Sequence, residues 1–185
     1  MTRIGNYLDL LIKNLPYSIF EELFSVFCIG SLLLLILKRR KAGRYVAGLL
    51  LMEYSFLLYC STVIFRKVLS ESKFNLIPFW SYRAYLDGKE FYLAENIMNV
   101  AVFVPVGLLF GITMCGRNAW AALLVGAGLS VGIEGLQFVF KKGFTEVDDV
   151  MHNTLGCLIG YGVYALAKYG YERICKRSVR TLVET

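Results

Sequence analysis

The sequence predicts an all-α integral membrane protein, a bundle of about five transmembrane helices with an interfacial segment between the second and third spans. The first observation is composition, because 57% of the 185 residues are hydrophobic and only 18% are charged, which is more apolar than a soluble domain. The second is the mean hydropathy of +0.56. The third is the grouping of apolar residues in blocks of about 20, the length that crosses a membrane.

These blocks divide the chain into an amphipathic start, a membrane bundle and a basic tail. Residues 1–18 place apolar side chains at helical spacing, which predicts a segment lying on the membrane surface. Residues 19–168 are expected to form a single membrane bundle, and 169–185 a basic cytoplasmic tail. Residues 66–93 mix aromatic residues with Lys and Arg, which predicts a short helix or re-entrant turn at headgroup depth. The predicted spans cover 19–37, 45–65, 96–114, 119–140 and 150–168.

The net charge of +6 indicates membrane topology rather than nucleic-acid binding, because the basic residues stand in short runs beside apolar blocks. The strongest run, at 38–44, is expected to be cytoplasmic. With five spans, this places the N-terminus outside, the C-terminus in the cytoplasm, and residues 66–95 and 141–149 outside. The five cysteines have neither CxxC nor metal-ligand spacing, so we expect no disulfide and no metal site.

Polar side chains occur inside the predicted spans, where hydrocarbon tolerates them poorly. A charged residue in the middle of a span costs about 2.5–3.5 kcal/mol on insertion scales, so such residues usually face a bundle interior or a wet cavity. Glu134 and Gln137 stand three residues apart and share one helix face. Asp149 and Asn153 stand four apart and share a face of the last span. All four side chains are therefore candidates for a functional site.

Small residues mark the faces along which the spans are expected to pack. Gly156 and Gly160 continue the stripe of the polar pair on the last span, and Gly107 lies on a similar stripe of the third span. Pro105 is expected to kink the third span. The fourth span carries glycines opposite its polar face, so we expect it to be the central helix.

The polar residues are predicted to meet near the outer ends of the last three spans. At 1.5 Å per residue, Glu134 and Asn153 lie at a similar depth, roughly 9 Å below the outer ends of their helices. Asn96 and Asn99 occupy the outer end of the third span. This common depth predicts one connected polar cluster near the outer leaflet.

The same residues also allow structural interpretations. Glu134 and Gln137 could form hydrogen bonds that hold helices together. Asp148 stands in a helix-start pattern, in which an acid caps the first turn of its own helix. The single histidine, His152, is expected to be an interfacial side chain, because no second ligand accompanies it.

Four segments together resemble one protein family. They are NLIPF at 75–79, NIMNVAVFVPVGLL at 96–109, EGLQF at 134–138 and TEVDDVMHNTLGCLIG at 145–160. In this order they are similar to the VanZ-like family of bacterial membrane proteins, over about residues 70–165. The resemblance implies a small polytopic protein of the cell membrane, whose namesake raises resistance to the lipoglycopeptide teicoplanin. Some members carry an Arg in the turn where this chain has Gly143 and Phe144.

The motifs and the spacing together select two sets of residues. The candidate functional polar cluster consists of Asn75, Asn96, Asn99, Glu134, Gln137, Asp149 and Asn153. The candidates for structural roles are Pro78, Pro105, Gly107, Gly156 and Gly160. No residue is assigned as catalytic.

Three functions are compatible with this pattern. The leading one is low-level resistance to lipoglycopeptides through the polar cluster, in the bacterial cytoplasmic membrane. A membrane enzyme acting on a lipid-linked envelope substrate would use Glu134 or Asp149 as acid or base, and a small proton-coupled transporter would carry its proton on Glu134. The expected partners are membrane lipids and a lipoglycopeptide or a lipid-linked cell-wall precursor, with no cofactor and no nucleic acid.

Overall fold

The structure, a computed structural model, describes residues 42–116 and 118–183. The predicted surface segment at 1–18, the predicted span 19–37 and most of the basic run at 38–44 lie outside these residues, as do Arg117 and the last two residues. The helices are α1 (Ala42–Tyr59), which continues as a π-helical turn (Cys60–Ile64), α2 (Trp80–Leu86), α3 (Phe91–Met114), α4 (Ala119–Phe140) and α5 (Val147–Val183). The strands are β1 (Lys73–Asn75) and β2 (Phe144–Glu146).

Three of the described helical segments are long and apolar enough to cross a membrane, which confirms the predicted helical membrane bundle. They are Gly43–Ile64, Phe91–Met114 and Ala119–Phe140. Their bounds agree with the second, third and fourth predicted spans to within five residues. The total of five spans, the division into three segments and the direction across the membrane stay predictions.

The last helix is much longer than the predicted span 150–168. α5 has 37 residues, which corresponds to about 55 Å at 1.5 Å per residue, whereas the hydrocarbon core of a bilayer is about 30 Å thick. Its second half carries the charged residues Lys168, Glu172, Arg173 and Lys176. The tail predicted at 169–185 is therefore, as far as Val183, a continuation of the same helix.

α3 and α5 lie side by side and run in parallel, and glycines allow their backbones to touch. A Cβ atom on Gly156 would overlap the carbonyl oxygen of Val100, and Gly160 makes the same kind of contact one turn later. From the opposite helix, a Cβ on Gly107 would overlap the carbonyl oxygen of Cys157. Contact through small residues is a common way for membrane helices to associate, because van der Waals packing is their main attraction.

α3, rather than α4, is the central helix of the described bundle, because α1, α2, α4 and α5 all pack against it. The glycines of α4 suggested the opposite. Gly132 contacts the hydroxyl of Tyr59, but Gly128 and Gly135 have nothing within 4 Å in the described part of the chain. A glycine stripe marks the central helix only where another helix faces it. α3 has such a contact, because Gly107 packs against Cys157 of α5. α3 remains α-helical through Pro105.

Four helix ends meet at one end of the bundle, here called the polar end. α3 and α5 begin there, while α1 and α4 end there. The two strands pair in parallel at this end, with Asn75 opposite Glu146, and α2 lies beside them. The strand pair was not predicted, because each strand has three residues and finds its partner far along the chain. Below it, Phe103, Val106 and Ile133 form a buried apolar core.

Candidate functional site

Asp148 ties the short helix α2 to the start of α5. Its fully buried carboxylate accepts hydrogen bonds from the Phe79 N–H at 2.6 Å, the Ser81 N–H at 3.0 Å and the Ser81 hydroxyl at 2.6 Å. The first N–H groups of a helix have no partner within the helix. Asp148 therefore caps α2 and not its own helix, which corrects the expectation from the sequence. Asn96, from the predicted cluster, donates to the same Ser81 hydroxyl at 3.0 Å.

Asn75 and Pro78 shape the turn that leads into α2. The Oδ1 atom of Asn75 accepts a hydrogen bond from the Ile77 N–H at 3.0 Å, which is the pattern of an Asx turn. Pro78 precedes Phe79, whose backbone is left-handed with φ of 61°. The structure thus gives Asn75 a local partner in the turn, at the edge of the polar end.

Two buried glutamates connect the end of α4 with β2 and α2. The Oε2 atom of Glu134 accepts a hydrogen bond from the backbone N–H of Glu146 at 2.9 Å. The Oε2 atom of Glu146 accepts one from the indole N–H of Trp80, also at 2.9 Å. Tyr92 and Phe144 pack edge-on against the Trp80 ring. The Glu134 side chain is thus fixed by the backbone of β2, and the Glu146 side chain is fixed by Trp80 of α2.

Asp149 and Asn99 join the start of α5 to the first turns of α3. The Nδ2 atom of Asn99 donates to Oδ1 of Asp149 at 2.7 Å. The charge of Asp149 acts on both Glu134 and Glu146. Three carboxyl groups and one amide, from three helices and a strand, therefore lie together at the polar end.

Arg66 brings a positive charge to this group from the segment after α1. Its guanidinium acts electrostatically on Glu95, Glu134 and Asp149. Its Nη1 atom lies 2.9 Å from the point that a Cβ on Gly143 would occupy. Arg66 therefore reaches the turn at Gly143 from another part of the chain.

Gln137 and Asn153 each use one end of the side-chain amide. The Nε2 atom of Gln137 donates to the Thr62 carbonyl at 3.1 Å, and the Nδ2 atom of Asn153 donates to the Ser130 hydroxyl at 2.8 Å. The amide oxygens of both residues are buried and have no hydrogen-bond partner among the residues that the structure describes. Because an unpaired buried acceptor is costly, these two oxygens are candidates for contact with a ligand.

His152 is buried among protein side chains at the polar end, and the interfacial depth expected from the sequence stays a prediction. Its Nε2 atom lies 2.7 Å from the Tyr82 hydroxyl, within hydrogen-bonding distance. Tyr82 of α2 covers the His152 ring. The position of α2 depends on its hydrogen bonds to Asp148, which a local sequence pattern does not indicate. Across residues 42–116 and 118–183, no group of three or more His, Cys, Asp or Glu side chains has the geometry to hold a metal ion.

Arg66, Glu146 and Trp80 belong to the site but have no local sequence pattern that indicates it. Arg66 directly follows the predicted span 45–65, where a basic residue is ordinarily a topology signal. Glu146 stands in a helix-start pattern, and Trp80 in a segment whose aromatic residues indicated headgroup depth. Each local pattern already had an ordinary explanation, so only the folded structure shows that the three residues meet the acidic cluster.

The proton on Glu146 provides a test of this geometry. Burial and the charge of Asp149 raise the pKa of Glu146 from 4.5 to about 8, against the lowering effect of the Trp80 hydrogen bond. The carboxyl group is therefore protonated at neutral pH and loses its proton as the pH rises through about 8. In a Trp120→Phe background, Trp80 emission should titrate near that pH, and Glu146→Gln should abolish the titration. A titration unchanged by Glu146→Gln would contradict the assignment.

Comparison with known proteins relates the sequence of this chain to one family. The VanZ/LLP1 family matches residues 45–168, which include the polar end and all of α3 and α4. Protein VanZ of Enterococcus faecium is 34% identical over 73 residues, which are 40% of this chain and 45% of that protein. The matched region thus spans about half the length of this relative, and no solved structure matches the chain. The family match covers well over half of the chain, so the protein belongs to the VanZ/LLP1 family.

Proposed function

We propose that this protein gives low-level resistance to lipoglycopeptide antibiotics of the teicoplanin type, and that the polar cluster is the part that acts. The observation that carries the proposal is the cluster itself: Glu134, Glu146 and Asp149 lie together beside Asn99 at one end of a membrane bundle. Family membership and the similarity to Protein VanZ support a resistance-type function. The drug class comes from the resemblance of the sequence motifs.

The proposed orientation has five spans, with the N-terminus outside, the C-terminus in the cytoplasm and the polar end facing out. Cations at the opposite end of the bundle support it. The Arg44 side chain donates to the Thr113 carbonyl at 3.1 Å, and Lys168 donates to the Cys115 carbonyl at 2.9 Å. Basic residues beside span ends favour the cytoplasmic side.

A reporter enzyme fused after Gly88 should be active only outside the membrane, and one fused after Lys41 only inside. Gly88 lies between α2 and α3 at the polar end, whereas Lys41 belongs to the basic run before α1. The physical reason is that such runs resist transfer across the membrane. Fusion at each site to both an exterior-active and a cytoplasm-active reporter supplies the control. Exterior activity after Lys41 would invert the orientation.

The chemistry of the cluster suits the polar part of an amphipathic ligand. Carboxyl and amide groups at headgroup depth can bind the hydroxyl, amide N–H and ammonium groups of glycopeptides and lipid-linked cell-wall precursors. A single acyl chain gives only marginal, reversible membrane anchoring. A modest change in the interfacial environment of such a drug would therefore change how much of it stays at the membrane.

Expression of the wild-type protein should raise tolerance to teicoplanin more than to vancomycin, which lacks the acyl tail. Glu134→Ala and Asp149→Ala should each remove most of the gain, because each deletes a carboxylate of the cluster. Glu172→Ala, an exposed acid on the second half of α5, is the matched control and should keep full protection. The measurement is a susceptibility series at equal membrane abundance. Equal shifts for both drugs, or full protection by both cluster variants, would refute the proposal.

A second candidate is an acid–base enzyme acting on a lipid-linked envelope substrate. It is favoured by the neighbouring carboxyl groups, because burial raises the pKa of Glu146 to about 8 and that of Asp149 to about 7, where both groups can exchange protons near neutral pH. The variant Glu134→Gln distinguishes the two candidate functions. Glutamine keeps an oxygen that can accept the Glu146 N–H, so a protein that acts only by binding should retain part of the resistance. An enzyme that uses this carboxylate for proton transfer should lose all of it.

A further inference from the structure

A crevice of about 240 Å³ opens between the end of α1 and the last turns of α4. Its lining residues are Tyr59, Val63, Ile64, Leu136, Phe140 and Lys142. Apart from Lys142 at one end, the wall consists of aliphatic and aromatic side chains. Leu136 is 38% exposed and Val139 is 68% exposed, so apolar side chains of the last turns of α4 are open to the surroundings of the bundle.

The backbone of α1 explains why the crevice exists. The last turn of α1 widens into a π-helix over Cys60–Ile64, a form that is rare and frequently found at functional sites. Two backbone carbonyl groups of this π-turn accept hydrogen bonds from side chains at the C-terminal end of α4 and just after it. Gln137 donates to the Thr62 carbonyl at 3.1 Å, and Lys142 donates to the Ile64 carbonyl at 2.8 Å. These polar contacts join the two helices at the polar end, and the Tyr59 hydroxyl contacts Gly132 of α4 beside the crevice.

Basic residues follow both helices that form this crevice, directly after the π-turn of α1 and after the last turn of α4. Arg66 follows the π-turn directly and is exposed, and its guanidinium lies beside Gly143, the residue after Lys142. Lys67 is also exposed. Lys141 shares hydrogen bonds with the segment after α1, since its carbonyl accepts the Leu69 N–H at 2.7 Å and its Nζ donates to Ser70. The crevice therefore has an apolar wall and a positively charged end.

We infer that this crevice binds one hydrocarbon chain of an anionic lipid and that Arg66 binds the lipid phosphate. A guanidinium matches phosphate oxygens with two parallel hydrogen bonds, which a zwitterionic headgroup uses less well because its own cation competes. Free phosphate would gain nothing from Val63, Leu136 or Phe140. The inference goes beyond the resistance proposal, and it is tested on the purified protein without any antibiotic.

The position of Arg66 gives the bound lipid a further consequence. The same guanidinium acts on Glu95, Glu134 and Asp149, so it stands between the crevice and the acidic cluster. A phosphate held by Arg66 would bring its headgroup to the edge of that cluster. Lipids with long chains and a phosphate-linked headgroup are therefore the class that this site would select from the membrane.

The test uses the full-length protein in detergent, with lipids added at equal concentration. Phosphatidylglycerol should raise the unfolding temperature more than phosphatidylcholine with the same chains, and inorganic phosphate should leave it unchanged. Native mass spectrometry should show Arg66→Gln retaining phosphatidylglycerol about tenfold less, the scale of one lost charged contact. Arg83→Gln removes the same charge from an exposed site on α2 and should retain the lipid as the wild type does.

A second variant tests the chain-binding half independently of Arg66. Leu136→Trp fills the crevice and should weaken retention of both lipids while Arg66 stays in place. If Arg66→Gln fails to fold, the difference between phosphatidylglycerol and phosphatidylcholine on the wild-type protein tests the headgroup half, and Leu136→Trp tests the chain half. Equal stabilisation by the two lipids, an equal effect of inorganic phosphate, or undiminished lipid retention by Leu136→Trp would each overturn the inference.

Discussion

Replacing Asp148 with Ala is expected to destabilise the protein by about 3 kcal/mol or more, because charged hydrogen bonds contribute about 1.5–3 kcal/mol each and do not add fully. The carboxylate is fully buried and accepts three hydrogen bonds from Phe79 and Ser81 at the start of α2. Its removal leaves those donors without their acceptor and frees α2 from the bundle. Thermal unfolding of the purified protein measures the loss, and proteolysis between β1 and α3 should become faster.

Two matched variants separate this role from a general loss of charge. Ser81→Ala removes only the hydroxyl contact and should cost about 1 kcal/mol, the usual net value of one hydrogen bond. Asp87→Ala removes an exposed acid at the other end of α2 and should have little effect. If Asp148→Ala unfolds at the same temperature as Asp87→Ala, the carboxylate does not hold α2.

The second large effect is expected from adding one methyl group at Gly156. A Cβ atom there would overlap the carbonyl oxygen of Val100 and lie 3.0 Å from Cβ of Phe103. The obstructing atom belongs to the backbone of α3, so no side chain can turn away, and the two helices must separate. Overpacking usually costs about 1–3 kcal/mol, and we expect Gly156→Ala to reach or exceed the upper end because backbone cannot move locally.

Gly162→Ala is the control, because it lies in the same helix and its Cβ would meet nothing within 4 Å among the described residues. Replacing a helical glycine with alanine in open space is expected to stabilise by about 0.5–1 kcal/mol. The two variants should therefore shift the unfolding temperature in opposite directions. A similar shift for both would mean that α3 and α5 do not pack through Gly156.

The membrane character and the positions of the main helices follow directly from the local pattern of residues. Apolar blocks at 45–65, 96–114 and 119–140 correspond to α1 with its π-turn, α3 and α4. Hydrocarbon imposes length and composition on every span, so these features can be read one segment at a time. The order of the four motifs can also be read directly from the sequence. The VanZ-like family that this order indicated is confirmed by the family match over residues 45–168.

The contacts of the polar end depend on the assembled fold. Asp148 looks like a cap for α5 but caps α2, which lies 67 residues away at Ser81, and Glu146 finds Trp80 at a separation of 66 residues. Arg66 reaches the acidic cluster only because the π-turn of α1 ends beside the last turn of α4. A local sequence pattern indicates which side chains can bond within a helix or turn. Which distant partner each one meets is decided by the packing of α3 against α5, and that packing brings α2 and the two strands over their ends.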